Sequence, residues 1–193
     1  KWYNNINSRS DDRLINAKEY IIMNNIRIIT DSSCDLNKDI IEKYNIKVVP
    51  LNVSFGDEIY MDSELDNKEF YEKMRSSKEL PKTSCPSPER FINSYEGDED
   101  VIVLTISSQL SGTYSAALIA KNMMLEENPN KKIEIIDTKT GSILHGQLIV
   151  KAAKLVEEGK SFEEIVKTIE KISKVLYNID NENTPSVCSR YHL

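Results

Sequence analysis

The sequence lacks the features that would commit it to several large classes of protein. No apolar run approaches the roughly 20 residues that a membrane-spanning helix needs, and residues 1–23 lack the apolar core of a signal peptide. The three cysteines (Cys34, Cys85 and Cys188) have no metal-ligand spacing, so we interpret them as reduced thiols rather than as a disulfide framework. These absences favour a cytoplasmic protein.

Positive charge is also in short supply. Lysine and arginine number 25 against 31 aspartates and glutamates, which gives a formal net charge of −6. Nonspecific binding of nucleic acid requires a basic surface that neutralises phosphates. The negative net charge therefore argues against nucleic-acid binding and against binding to an anionic membrane surface. The chain has 193 residues, of which 39% are hydrophobic, enough for one well-buried globular domain.

Catalytic motifs are missing as well. A nucleophilic serine needs a base, and the only two histidines are His145, which we expect to be packed or solvated in the middle of a helix, and His192, in a tail without periodicity. The sequence has no G-x-S-x-G elbow, no phosphate-binding P-loop and no G-x-G-x-x-G dinucleotide motif. We therefore disfavour a serine hydrolase or a phosphotransferase, and predict no catalytic residues and no cofactor.

What the sequence does contain is an alternation of strand-like and helix-like segments. Strand candidates lie at 26–30, 101–106 and 132–138, and helix candidates at 114–127 and 141–158. The run at 47–55 is another strand candidate, in which Pro50 predicts an edge position or a bulge. Ser161 and Glu164 form a capping box for a last helix. This alternation predicts an α/β fold, a mostly parallel sheet with helices on both faces.

Small hydroxyl side chains cluster where the strand at 101–106 gives way to a helix. Ser107, Ser108, Ser111 and Gly112 all lie in this turn. Ligands of open parallel sheets bind beyond the carboxyl ends of the strands, and the N–H groups of a helix N-terminus attract anions. Hydroxyl groups add donors, and glycine lets the backbone approach a ligand. The turn therefore predicts a binding site for a carboxylate or a phosphate.

Other polar clusters follow predicted strands or precede predicted helices. Thr83 and Ser84 open the loop at 83–87, which runs into a helix and could face the same anion. Further clusters lie at 30–33 and 137–142. Ordinary helix capping explains such serines equally well, so a capping role and a site for a small carboxylated or phosphorylated metabolite both stay open. Four aspartates could ligate Mg²⁺ (Asp31, Asp35, Asp62 and Asp137), but acids at strand ends are usually caps, and we predict no metal site.

Five segments together resemble the DegV family of bacterial proteins. In order they are RIITDSSCDL, IKVVPLNVSFGDEIYMD, PKTSCPSPERF, ISSQLSGTYSAALIA and IEIIDTKTGSILHGQLIVKAAKLVEEGKSFEEI. The resemblance covers roughly residues 25–180. It implies a cytoplasmic fatty-acid-binding protein without catalytic activity, which presents the carboxylate of a long-chain fatty acid to a separate fatty acid kinase subunit.

The resemblance also implies where the ligand lies. The carboxylate should meet Thr83, and Ser111 with Gly112 or Ser107 and Ser108, with the acyl tail in the interior between sheet and helices. The complete set of expected ligand-binding residues is Thr30, Asp31, Ser32, Thr83, Ser84, Ser107, Ser108, Ser111 and Gly112. Apolar residues near the expected mouth are equally well explained as core: Phe55, Tyr60, Leu104, Ile106 and Leu110.

Both ends of the chain depart from the family pattern. We expect residues 1–23 to be a poorly ordered leader, 24–180 to be the DegV-like domain and 181–193 to be a tail foreign to the family. Family members are longer, so we expect this chain to be the N-terminal lobe, truncated before the second lobe and impaired in lipid binding. A face left uncovered by that lobe would favour self-association.

Overall fold

The computed structural model describes residues 25–183, so the predicted leader and most of the predicted tail lie outside the described residues. The strands are β1 (Ile26–Asp31), β2 (Lys47–Val49), β3 (Asn52–Phe55), β4 (Glu58–Met61), β5 (Lys82–Ser84), β6 (Asp100–Thr105) and β7 (Ile133–Asp137). The helices are α1 (Lys38–Lys43), α2 (Asn67–Ser76), α3 (Pro88–Tyr95), α4 (Thr113–Glu127), α5 (Ser142–Glu157) and α6 (Phe162–Asn183). Short 3-10 turns occupy Ser32–Cys34 and Asp62–Glu64.

A four-stranded parallel sheet with the strand order β2-β1-β6-β7 forms the centre of the fold. Alternate residues of its strands point to opposite faces, and both faces are covered by helices. Ile28 and Ile102 pack in a core cluster with residues of α5 and α6, whereas Ile29 and Val103 pack with residues of α3 and α4. The predicted parallel sheet with helices on both faces is confirmed.

The predicted strand at 47–55 is two strands that belong to different sheets. Pro50 lies between β2, at the edge of the parallel sheet, and β3, the middle strand of an antiparallel sheet with the order β4-β3-β5. Proline cannot donate to a strand ladder, which fits the break at this residue. The antiparallel sheet, which we did not predict, pairs Thr83 with Val53 and so fixes the start of the 83–87 loop.

The predicted helix at 141–158 and the predicted capping box of the last helix are both present. Gly159 follows α5 with a φ of 75°, and the capping box of α6 forms in both directions. The Ser161 N–H donates to Oε2 of Glu164 (2.9 Å), and the Glu164 N–H donates to Oγ of Ser161 (3.3 Å). Helix α6 continues to Asn183, past the boundary expected at Asp180. Within residues 25–183, no helix is long and apolar enough to cross a membrane.

Candidate functional site

The carboxyl ends of β1, β6 and β7 lie side by side. Thr30 pairs with Leu104, and Leu104 with Ile136, so the loops that follow these strands leave from one edge of the sheet. The clusters at 30–33, 107–113 and 137–142 therefore meet at this edge, as the predicted topology requires. We call these three segments, together with the 83–87 loop, the hydroxyl edge.

Asp31 ties the end of β1 to the end of β6. Its carboxyl group is fully buried, and Oδ2 accepts a hydrogen bond from the Ile106 N–H at 2.8 Å. Oδ1 accepts from the Ser33 N–H at 3.1 Å and also from the Ser33 hydroxyl. Ser32 is half-buried, and its Oγ accepts from the Leu51 N–H at 2.9 Å. These contacts connect the end of β1 and the turn after it to the segments that begin at Ile106 and Leu51.

Asp137 holds the next loop in the same manner. Its carboxyl oxygens accept from the Ser108 N–H (3.1 Å), the Ser108 hydroxyl (2.6 Å) and the Lys139 N–H (3.0 Å). Ser107 is buried, its N–H donates to the carbonyl of Thr140 at 2.9 Å, and its Oγ accepts from the Gln109 N–H at 3.3 Å. In this structure the contacts of Ser107 and Ser108 are within the protein and give the loop its shape.

Ser111 and Gly112 lie at the start of α4. Gly112 is the N-cap residue and so provides no side-chain cap. Oγ of Ser111 lies 2.8 Å from Oγ1 of Thr113 and accepts from the Thr113 N–H at 3.3 Å. Ser111 is half-buried and Gly112 is exposed. This helix N-terminus therefore presents small hydroxyl groups and a bare backbone.

The 83–87 loop abuts the N-terminus of α4. A Cβ built on Gly112 would lie 3.4 Å from Sγ of Cys85, which is ordinary van der Waals contact. Thr83 and Ser84 are exposed just before Cys85, and Oγ of Ser84 accepts from Nδ2 of Asn52 at 3.3 Å. The 83–87 loop and the loop at 107–113 are thus neighbours, although they follow strands of different sheets.

Thr30 and His145 form the buried part of the edge. Both side chains are fully buried, and Nε2 of His145 lies 3.1 Å from Oγ1 of Thr30. Nδ1 of His145 lies 3.1 Å from Oγ1 of Thr138. Burial lowers the pKa of His145, while the charges of Asp31 and Asp35 act in the opposite direction.

Our sequence interpretation of His145 was partly right. The residue is packed, but it lies in the first turn of α5 rather than in the middle of the helix. Its contacts with the ends of two strands were missed. The sequence offers only a weak signal for them, a histidine in a first helical turn that follows two threonines, Thr138 and Thr140.

Three of the four aspartates that we considered as metal ligands bind groups of the protein itself. Asp31 and Asp137 bind backbone N–H groups, and Oδ2 of Asp35 accepts from the Ser142 hydroxyl at 2.5 Å. Oδ1 of Asp62 is buried without a hydrogen-bond partner among the described residues, and burial raises the pKa of this carboxyl group. In the described part of the chain, no three acidic, histidine or cysteine side chains are grouped so that they could hold a metal ion.

The apolar side chains that we expected near the mouth of the site, and Ile143 with them, range from buried to exposed. Leu104 and Phe55 are buried in the interior, whereas Ile106 and Tyr60 are half-buried. Leu110 and Ile143 are 63% and 69% exposed. A Cβ on Gly141 would lie within 3.8 Å of the side chains of both Ile106 and Leu110, so these two residues border one surface. The hydroxyl edge thus adjoins exposed apolar surface.

Comparison with known proteins gives a consistent result. The sequence model of a family described as "Uncharacterised protein, DegV family" matches residues 25–177. A DegV domain-containing protein of Clostridium acetobutylicum is 40% identical over 164 residues, which cover 81% of this chain and 57% of that protein. The chain spans about half the length of the curated relatives that it matches.

Several solved structures are similar to this chain, and two of them illustrate the match. One is DegV of Bacillus subtilis, a fatty acid binding protein, with a TM-score of 0.71 and 35% identity over 79% of this chain and 54% of that one. The other is the fatty acid kinase B3 protein of Streptococcus pneumoniae, loaded with linoleic acid, with a TM-score of 0.69 and 31% identity over 77% of this chain and 54% of that one. On the sequence match over residues 25–177 and this shared fold, the chain belongs to the DegV family.

Proposed function

We propose that the hydroxyl edge of this protein binds the carboxylate of a fatty acid. The observation that carries the proposal is the close approach of Cys85 to Gly112, where a Cβ built on the glycine would lie 3.4 Å from Sγ, because it brings two hydroxyl loops to the N-terminus of one helix. The structural neighbours from Bacillus subtilis and Streptococcus pneumoniae, which are a fatty acid binding protein and a protein loaded with linoleic acid, support a fatty acid as the ligand.

Some residues of the hydroxyl edge contact the ligand in this proposal, and others position the loops. In this proposal Thr83, Ser84 and Ser111 donate hydroxyl hydrogen bonds to the carboxylate, and the positive end of α4 favours its charge. The acyl chain lies against apolar surface near Leu110. Thr30, Asp31, Ser32, Ser107 and Ser108 hold the loops in place through the contacts described above.

We expect binding without catalysis. A serine nucleophile needs a base within hydrogen-bond reach. His145 is fully buried, and both of its ring nitrogens already face threonine hydroxyl groups. It is therefore unsuited to activate the exposed hydroxyl groups of the edge, which supports a carrier rather than a hydrolase.

Presentation to a fatty acid kinase subunit in the bacterial cytoplasm completes the proposal. The name of the Streptococcus pneumoniae neighbour supports the kinase as partner. We expect this chain to bind fatty acid weakly and to self-associate. Thr83, Ser84 and Gly112 are exposed, so a carboxylate there would stay partly hydrated. Exposed apolar residues such as Leu110 favour association.

A double substitution tests the position of the carboxylate. Thr83→Val together with Ser111→Ala removes two hydroxyl donors to a charged group, and we expect a loss of about 1–3 kcal/mol in the free energy of oleate binding, measured by titration calorimetry. Thr168→Val with Ser76→Ala is the matched control, because these hydroxyl groups bond only to carbonyls of their own helices.

The outcomes separate the possible ligands. Unchanged oleate affinity in the double variant would place the carboxylate elsewhere. Acetate and inorganic phosphate are titrated in parallel, since both offer an anion without an acyl chain. Binding of phosphate in preference to oleate would contradict the fatty acid proposal and favour a small phosphorylated ligand.

A further inference from the structure

His145 connects three segments of the sheet edge. Its imidazole lies between Thr30, at the end of β1, and Thr138, just after β7, with both hydroxyl oxygens 3.1 Å from a ring nitrogen. Nε2 also lies 3.8 Å from Oδ2 of Asp31, the oxygen that accepts from the Ile106 N–H. A single buried side chain thus spans from β7 across to β1 and adjoins the contact that holds the loop after β6.

The hydrogen bonds select one tautomer. The Thr138 hydroxyl has one proton and donates it to the carbonyl of Thr105 at 2.7 Å, because a carbonyl can only accept. Oγ1 of Thr138 must then accept from His145, so Nδ1 carries the proton. In a neutral imidazole Nε2 is left as an acceptor, and the Thr30 hydroxyl donates to it. Every polar atom of the ring has a partner in this arrangement.

Contacts other than those of the imidazole also hold α5 against the turn after β1. A Cβ on Gly146, the next residue, would lie 2.4 Å from the carbonyl oxygen of Cys34, so the backbones of α5 and the 3-10 turn are already in close contact. The Ser142 hydroxyl adds a hydrogen bond to Asp35. The separate contribution of His145 is therefore to fix the orientation of the Thr30 side chain and of the peptide that leads into Asp31.

We infer that His145, as the neutral Nδ1–H tautomer, is a positioning residue for the hydroxyl edge. It holds Thr30, and through the adjacent Asp31 it sets the position of the Ile106 N–H, from which the loop to Ser111 and Gly112 begins. The part of this inference that concerns ligand affinity rests on the proposed function. The part that concerns the Ile106 peptide does not.

The tautomer is tested first, on the unmodified chain. Long-range nitrogen–proton correlation spectra of histidine-labelled protein report which ring nitrogen is protonated, and the chain has only two histidines, of which His192 is the second. We expect one ring with a protonated Nδ1 and a bare Nε2 at neutral pH. Two histidines that both show the Nε2–H form or an imidazolium would overturn the inference without any variant.

Two substitutions then separate the two hydrogen bonds. His145→Gln can place an amide oxygen near the site of Nε2 and keep the partner of Thr30, whereas His145→Asn can place an amide N–H near the site of Nδ1 and keep only the partner of Thr138. We expect His145→Gln to retain the wild-type amide shifts of Ile106 and Ser107, and His145→Asn to shift both. Unchanged shifts in both variants, or equal changes in both, would overturn the positioning role.

Oleate affinity adds the functional readout. We expect His145→Gln to bind oleate within about twofold of the wild type and His145→Asn to bind about fivefold to tenfold more weakly, the effect of one hydrogen bond. If both variants lose oleate affinity equally, and only in proportion to their loss of unfolding free energy, then His145 acts through packing and the inference is overturned. If the wild-type chain does not bind oleate, the proposed function fails, and the Ile106 and Ser107 shifts still decide the role of His145.

Discussion

Replacement of Gly146 by alanine probes a close approach between the backbones of α5 and the turn after β1. Gly146 is buried in the first half of α5, where a Cβ would lie 2.4 Å from the backbone oxygen of Cys34 and 3.1 Å from Cδ2 of Leu36. The side chain of Leu36 can turn away. The Cys34 carbonyl belongs to the turn after β1, in which Cys34 itself is buried, so relief requires α5 or the turn to move.

The expected cost follows from two opposing effects. A carbon and a carbonyl oxygen approach to about 3.3 Å at the closest, so the helix and the turn must separate by about 0.9 Å. Overpacking of this kind costs about 1–3 kcal/mol, and we take about 3 kcal/mol because the contact is with backbone. Alanine in place of glycine in a helix returns about 1 kcal/mol. The free energy of unfolding should therefore fall by about 2 kcal/mol.

Urea unfolding followed by circular dichroism measures this change. With a urea dependence of about 2 kcal/mol per molar for a domain of this size, the midpoint should fall by about 1 M. Gly112→Ala is the control, since its Cβ makes only ordinary contact with Sγ of Cys85 at 3.4 Å, and its stability should fall by only about 0.5–1 kcal/mol, the cost of alanine at an N-cap. A Gly146→Ala variant as stable as the wild type, or more stable, would refute the close packing of α5 on the turn.

Two other predictions concern the buried His145 and the loop held by Asp137. Because burial lowers the pKa of His145 below 6.5, the unfolded chain takes up a proton that the folded chain does not, so the free energy of unfolding should fall by up to about 1.4 kcal/mol per pH unit as the pH drops below about 6.5. Urea titrations should show a shallower fall in His145→Gln, and identical pH profiles would contradict a buried neutral histidine. Asp137→Ala removes the acceptor of two Ser108 bonds and of the Lys139 N–H, so amide exchange at Ser108 and Lys139 should become faster, with a loss of about 1–2 kcal/mol in stability. Unchanged exchange at both amides would show that the carboxylate does not hold the loop.

Local sequence patterns predicted the part of the fold that depends on them. Strand β6 is a continuous apolar run because both of its faces are covered, so its sequence alone predicts a buried strand. The capping box was predictable because it involves only Ser161 and Glu164, which are three positions apart. The meeting of the loops after β1, β6 and β7 also followed, because parallel strands end at a common edge.

Contacts between distant residues could not be predicted in this way. Pro50 indicated a disturbed strand, but the transfer of β3 to a second sheet depends on pairing with β4 and β5. Likewise, His145 meets Thr30 across 115 positions of sequence, and no periodicity encodes that separation. The hydrogen bonds from Ser33 and Ile106 to the Asp31 oxygens were not predicted either, because the second spans 75 positions of sequence.

The central claim is that a fatty acid carboxylate binds at the hydroxyl edge. It is tested most directly by recording nitrogen–proton correlation spectra of the labelled chain during titration with oleate below its aggregation concentration, with acetate as the control. We predict saturable shifts of the amides of Thr83, Ser84, Ser111 and Gly112 with oleate, and much smaller shifts with acetate at the same concentrations. Spectra in which these amides do not move, whether oleate binds elsewhere or not at all, would contradict the account.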